Sequence, residues 1–161
     1  VLMKPELDQW KPGEHNGTFR GNNLAFVTAR AALEEYWRDG ALEREVQRKG
    51  EIVRETLERL VDLDERGVLS ARGRGMMQAL DCTRGDLAGR ISALAFERGL
   101  IMETSGSEDQ VLKCLMPLTI GEDELKRGLS ILEESVIEAL SEIPEEALDK
   151  DVEKLWMEVL A

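Results

Sequence analysis

Gly75-Met76-Met77-Gln78-Ala79-Leu80-Asp81-Cys82, followed by Thr83-Arg84-Gly85, decides the fold class. An apolar run this short, closed by glycine on both sides, is too brief for a helix and reads as a strand over residues 76–82. Two more such runs follow: residues 100–104 behind Gly99, and residues 111–116 ahead of Pro117. Between the first and second, Leu87, Ile91, Leu94 and Ala95 recur at helical spacing, and Gly99 supplies the stop. On the N-terminal side, Leu42, Val46, Val53, Leu57, Leu60 and Val61 predict an amphipathic helix among Glu and Arg that ends near Gly67. On the C-terminal side, Thr119 and Glu122 have the spacing of a capping box, opening a helix with the stripe Leu125, Leu129, Leu132, Val136 and Leu140. Pro144 opens a further acidic helix with Leu148, Val152, Leu155, Trp156 and Val159. The expected class is α+β, helices plus a small, mostly antiparallel sheet.

With 161 residues and 42% apolar content the chain can bury an ordinary core, which excludes disorder. No apolar run approaches the twenty or so residues of a membrane span, and the start lacks a signal peptide's basic flank and apolar stretch. The expectation is a soluble, cytoplasmic protein. Cys82 and Cys114 stand in apolar segments without CxxC or Cys/His spacing, so neither a disulfide framework nor a metal site is indicated. Lys and Arg number 21 against 33 Asp and Glu, a net charge of −12. The excess is C-terminal: residues 101–161 carry five basic and sixteen acidic groups, whereas residues 41–100 carry eleven of each. That surface repels phosphate backbones and anionic lipid, which argues against nucleic-acid and membrane partners.

The chain begins Val1-Leu2-Met3-Lys4-Pro5, which reads as a strand entered midway and implies further chemistry upstream. Residues 12–23 then form a polar loop with three glycines, His15-Asn16-Gly17-Thr18-Phe19-Arg20-Gly21-Asn22-Asn23 at its end, before a helix apolar nearly all round over residues 24–37. Such a helix is expected to be buried. Glycines permit close approach, a helix start offers unpaired N–H groups and the Thr18 hydroxyl adds a donor, so the loop has the makings of an anion site. An ordinary turn has the same composition, and GxGxxG and Walker A patterns are absent. His15, the lone histidine, has no Ser, Cys or second ligand at useful spacing and reads as a hydrogen-bonding loop residue. Met76, Met77, Met102 and Met116 read as core filler.

The form of the loop, Trp10-Lys11-Pro12-Gly13-Glu14-His15-Asn16-Gly17-Thr18-Phe19-Arg20-Gly21-Asn22-Asn23-Leu24-Ala25-Phe26, resembles that of the fold-type I, class III aminotransferases, enzymes dependent on pyridoxal 5'-phosphate. Ala71-Arg72-Gly73-Arg74-Gly75-Met76-Met77 is similar to that family's Arg-Gly-x-Gly-Leu turn into the first small-domain strand, and Lys113-Cys114-Leu115-Met116-Pro117-Leu118-Thr119-Ile120 to its Arg-x-x-Pro-Pro-Leu-x-Ile element. The resemblance implies the C-terminal part of a fold-type I α/β aminotransferase. Residues 1–40 would close the large cofactor-binding domain and residues 41–161 would form the small domain. It implies that Thr18, with Gly17 and Phe19, meets the cofactor phosphate of the neighbouring subunit in a homodimer or larger homo-oligomer. Lys113 would stand where the family's arginine grips the substrate carboxylate. A lysine supplies charge there but no bidentate fork. The lysine that carries the cofactor and the acid at its ring nitrogen would precede Val1, so no catalytic residue is expected in these residues and the chain alone is expected to be inactive. The implied substrates are glutamate and 2-oxoglutarate with a small amino-aldehyde or diamino acid. Two other readings stay open: a class III enzyme for 4-aminobutyrate, ornithine or a polyamine, and a non-catalytic acidic module that binds a protein through its last helix. Arg72 and Arg74 fit structural hydrogen bonds at a domain junction as well as an anion site.

Overall fold

A computed structural model describes residues 3–142; the helix expected after Pro144 lies outside them. The chain divides into two compact units, one ending at Ala41 and the other beginning at Leu42.

In the first unit Lys4 is extended and Pro5–Leu7 form a single 3-10 turn, so the described residues of the expected opening strand make none. Pro5 has no N–H to give to a ladder. After the polar loop comes α1 (Asn23–Tyr36), whose first turn is closed by Asn22 accepting from the Ala25 N–H at 3.1 Å. Within these residues α1 is uncovered: no residue of it is buried, and Leu24, Phe26, Val27 and Leu33 are all exposed. A helix apolar all round needs cover on every side, and its own unit provides only the loop before it.

The second unit is a two-layer structure of α2 (Ala41–Leu63), β1 (Ser70–Arg74), β2 (Met77–Asp81), α3 (Gly85–Glu97), β3 (Thr104–Ser105), β4 (Val111–Cys114) and α4 (Glu122–Glu142). The sheet order is β1-β2-β4-β3 with every pair antiparallel. Gln78 pairs with Cys114 and Leu80 with Leu112, so these four share the face that meets the helices. There they join Val53, Leu57 and Leu60 of α2, Leu87, Ile91 and Leu94 of α3, and Leu125, Leu129, Leu132 and Val136 of α4. Both cysteines are buried in this core as free thiols.

Four expectations are corrected. β1 is a strand where a turn was expected. All its residues are exposed, and its sequence Ser-Ala-Arg-Gly-Arg has no apolar alternation; backbone pairing with β2 alone defines it. Residues 100–104 are strand only at Thr104, because the Met102 carbonyl is taken by the Ser92 hydroxyl of α3 at 2.8 Å instead of by a ladder. Met77 is not core: it begins β2 on the side opposite Gln78 and is 71% exposed, whereas Met76 is buried and Met102 and Met116 pack against the core. The capping box is also not formed as expected. α4 starts at Glu122, whose carboxylate turns to Lys126 and Arg48.

Several local devices hold the unit. α3 ends as expected at Gly99, in the left-handed region at φ 88°, with the Leu100 N–H reaching the Ala95 carbonyl at 2.8 Å and the Gly99 N–H that of Phe96 at 2.9 Å. Buried Asp64, just past α2, accepts from the N–H groups of Arg66 (3.2 Å) and Leu69 (2.8 Å), which fixes the turn into β1. Gly50 of α2 lies against the β1–β2 turn so closely that a Cβ there would stand 2.7 Å from the carbonyl carbon and oxygen of Gly75. The Gln78 side-chain amide donates to Gly50 O (2.7 Å) across that contact and to Gly75 O (2.5 Å) within its own hairpin.

Candidate functional site

The loop of the first unit is ordered by its own polar groups. Glu14 accepts from the Lys11 N–H at 2.8 Å, and Asn16 donates to the Gly13 carbonyl at 3.0 Å. The His15 and Trp10 rings stack with centroids 4.5 Å apart. Arg20 folds back, donating to the His15 carbonyl and lying 3.2 Å from His15 Nδ1. His15 is therefore a loop-ordering residue, and Arg20, which sequence reading does not single out, is its partner. A turn closed by Arg20 N–H to Gly17 O at 3.1 Å holds Thr18 and Phe19 at its tip. Gly17, Thr18 and Phe19 are all exposed, Phe19 to 90%. Gly21 has φ 72° and open space around its Cα, and α1 begins two residues later. A hydroxyl, a glycine-rich backbone and a helix start are the donor set that a phosphate monoester takes.

In the second unit Lys113 lies in β4, paired through Ala79 of β2 with Arg72 of β1. The three share the sheet face opposite the helices. Lys113 is half-buried; its backbone N–H reaches the Glu103 carbonyl at 3.4 Å, and among the described residues no hydrogen bond or ion pair is made by its ammonium. Arg72 binds the Asp81 carboxylate at 3.1 Å, the structural bond allowed for it in sequence. Beside Lys113 a half-open, mainly apolar groove of about 360 Å³ runs between residues 100–103, the end of β4 and the first half of α4.

Among the described residues no group of three or more His, Cys, Asp and Glu is placed to hold a metal ion. Burial pushes the Cys82 thiol up to about 12 and the Cys114 thiol to about 11, so both stay protonated and unreactive near neutral pH. No described helix is long and apolar enough to cross a membrane.

Residues 3–136 match the model of the family Aminotransferase class-III. The chain belongs to that family. It is 54% identical over 143 residues to a diaminobutyrate–2-oxoglutarate transaminase of Halomonas elongata, covering 88% of this chain and 34% of that protein. It is 57% identical over 143 residues to the transaminase of the same name from Bordetella parapertussis, covering 88% and 33%. The chain thus spans about a third of the length of the curated relatives it matches. An ornithine aminotransferase of Toxoplasma gondii, solved with PLP partially occupying its active site, superposes with a TM-score of 0.67 at 26% identity, over 82% of this chain and 31% of that one. As a class-III aminotransferase chain, its α+β layering of helices on a small antiparallel sheet is that of its structural neighbours.

Proposed function

We propose that these residues are the C-terminal third of a pyridoxal 5'-phosphate-dependent transaminase that moves an amino group from L-glutamate to L-aspartate 4-semialdehyde. The products are L-2,4-diaminobutyrate and 2-oxoglutarate, a step toward ectoine. The observation that carries this reading is the 54–57% identity to two diaminobutyrate–2-oxoglutarate transaminases over 88% of the chain. When bound, pyridoxal phosphate supplies the electron sink that lets an amino group pass between two carbon skeletons. This chain's part is to hold and orient. Thr18 gives its hydroxyl, and Gly17 and Phe19 their backbone, to the phosphate of a partner subunit's cofactor. Exposure of all three suits contact with a second copy. Residues 1–40 then close the large domain, and the exposed apolar side chains of α1 are covered there. In the small domain, residues 41–161, Lys113 offers its ammonium to the carboxylate common to both amino acids. The protein works as a homodimer or larger homo-oligomer in the cytoplasm, and the catalytic lysine comes from the rest of the protein.

The test is the visible absorbance of the purified whole protein loaded with pyridoxal phosphate. The cofactor band is expected to bleach with L-glutamate and with L-2,4-diaminobutyrate alike. Bleaching by ornithine or 4-aminobutyrate in place of diaminobutyrate would reassign the substrate, and no bound cofactor would leave an acidic binding module as the better reading.

Thr18→Val keeps the shape of the side chain and removes one hydrogen bond to a charged oxygen, worth about 1.5–3 kcal/mol. The whole protein carrying it is expected to lose pyridoxal phosphate on dialysis at concentrations where the parent stays loaded, its affinity lower by roughly 10- to 150-fold. Equal retention would remove Thr18 from the phosphate site.

A further inference from the structure

Three consecutive residues of α2 reach three separate parts of the second unit. Arg48 pairs with Glu122 at the start of α4 (2.5 Å), which also holds Lys126 (2.5 Å). Lys49 donates from Nζ to the Leu118 carbonyl at 3.4 Å, and the Gly50 carbonyl accepts from Gln78. Leu118 and Glu122 lie in and at the end of the segment that leads from β4, and so from Lys113, into α4.

Lys49 is the unusual member. It occupies the stripe that continues as Val53, Leu57 and Leu60, and it is only 8% exposed. Taking an ammonium out of water costs free energy that a methionine or leucine in the same place would not incur. What the ammonium does that an apolar side chain cannot is bind the Leu118 carbonyl. Met116 and Ile120 anchor the segment on the core, but between them Pro117, Leu118 and Thr119 are exposed, Pro117 has no N–H, and the backbone bonds are turn bonds from the Ile120 N–H to the Pro117 carbonyl and from the Leu125 N–H to the Gly121 carbonyl, each 3.0 Å. The neighbouring Arg48–Glu122 pair lies nearer the surface, where water and salt screen it. Burial protects the Lys49 bond from that screening.

We propose that Lys49 is a positioning residue: by holding the Leu118 carbonyl it fixes the segment 115–121 that follows β4 and thereby aims Lys113 at the substrate carboxylate. This rests on the role given to Lys113 above. The experiment uses the whole protein with Lys49→Met, Lys49→Gln, Lys113→Met and the Lys49→Met/Lys113→Met pair, measuring kcat, KM for glutamate and thermal unfolding. Lys49→Met is expected to raise KM roughly 3- to 10-fold, with kcat within twofold and the unfolding midpoint unchanged or higher, since a buried charge is removed. Lys49→Gln, which keeps an N–H donor, is expected to recover part of the KM, and it carries the test if the methionine variant does not fold. In the Lys113→Met background, Lys49→Met is expected to add nothing further. The inference is overturned if Lys113→Met raises KM while neither Lys49 variant does, or if the two substitutions act additively. If Lys113→Met leaves KM unchanged, the role of Lys113 itself is what fails.

Discussion

Gly50→Ala is expected to destabilise the small unit, although alanine is the better helix former. In the open middle of a helix the exchange gains about 1 kcal/mol. At Gly50 the new Cβ stands 2.7 Å from the carbonyl carbon and oxygen of Gly75 and 2.9 Å from its Cα, backbone atoms with no flexible end to move aside. Forcing α2 and the β1–β2 turn apart costs about 1–3 kcal/mol as overpacking. The separation also stretches the bond from the Gln78 amide to the Gly50 carbonyl, worth about 1 kcal/mol. The steric and hydrogen-bond losses together exceed the propensity gain. Gly89 of α3 is the control: nothing lies within 4 Å of a Cβ built there, and its backbone is helical. Gly89→Ala is expected to raise the thermal midpoint of the whole protein and Gly50→Ala to lower it. A rise with both would mean that helix and turn are free to separate.

Lys113→Met is expected to weaken both amino-acid substrates together. Removing one charged hydrogen bond to a carboxylate costs about 1.5–3 kcal/mol, or roughly 10- to 150-fold in KM, with a smaller change in kcat. Lys113→Arg supplies a planar fork in place of a point charge and is expected to restore carboxylate binding, provided the longer head fits beside Ala79 and Arg72. Steady-state kinetics with glutamate and with diaminobutyrate distinguish the outcomes. A KM that rises for only one of them would place Lys113 at that substrate's distal end and not at the shared carboxylate.

The parts of the fold that bury apolar stripes were legible in the sequence. α2, α3 and α4 announce themselves by spacing, because packing against one sheet face dictates that pattern; Gly99 marks the stop of α3, whereas α2 ends at Leu63, four residues ahead of Gly67. β1 was not legible, since an exposed edge strand is specified by its partner's hydrogen bonds and leaves no apolar signature. The exposure of α1 was not legible either: apolar residues all round say that a helix is to be covered, not what covers it. For the proposed site, Thr18 was pointed to both by the glycine-rich loop before a helix and by the resemblance, and Lys113 by the resemblance alone. Lys49 left a trace that spacing alone would have caught, a charged residue at an apolar position, four residues before Val53 and three after Val46.

The strand order has a consequence for assembly. β1 and β2 pair residues 3 to 11 apart, from Arg74↔Met77 to Ser70↔Asp81, so that hairpin closes early and locally. β4 pairs with β2 across separations of 30 to 36 residues, from Asp81↔Val111 to Gln78↔Cys114, and it must also take β3 on its other side. The strand that bears Lys113 is thus the one whose placement waits on the largest loss of chain freedom. On that count the hairpin and the helices are expected to take shape before this lysine has its place, so that a chain halted short of that closure would keep most of its secondary structure without the residue proposed to hold the substrate.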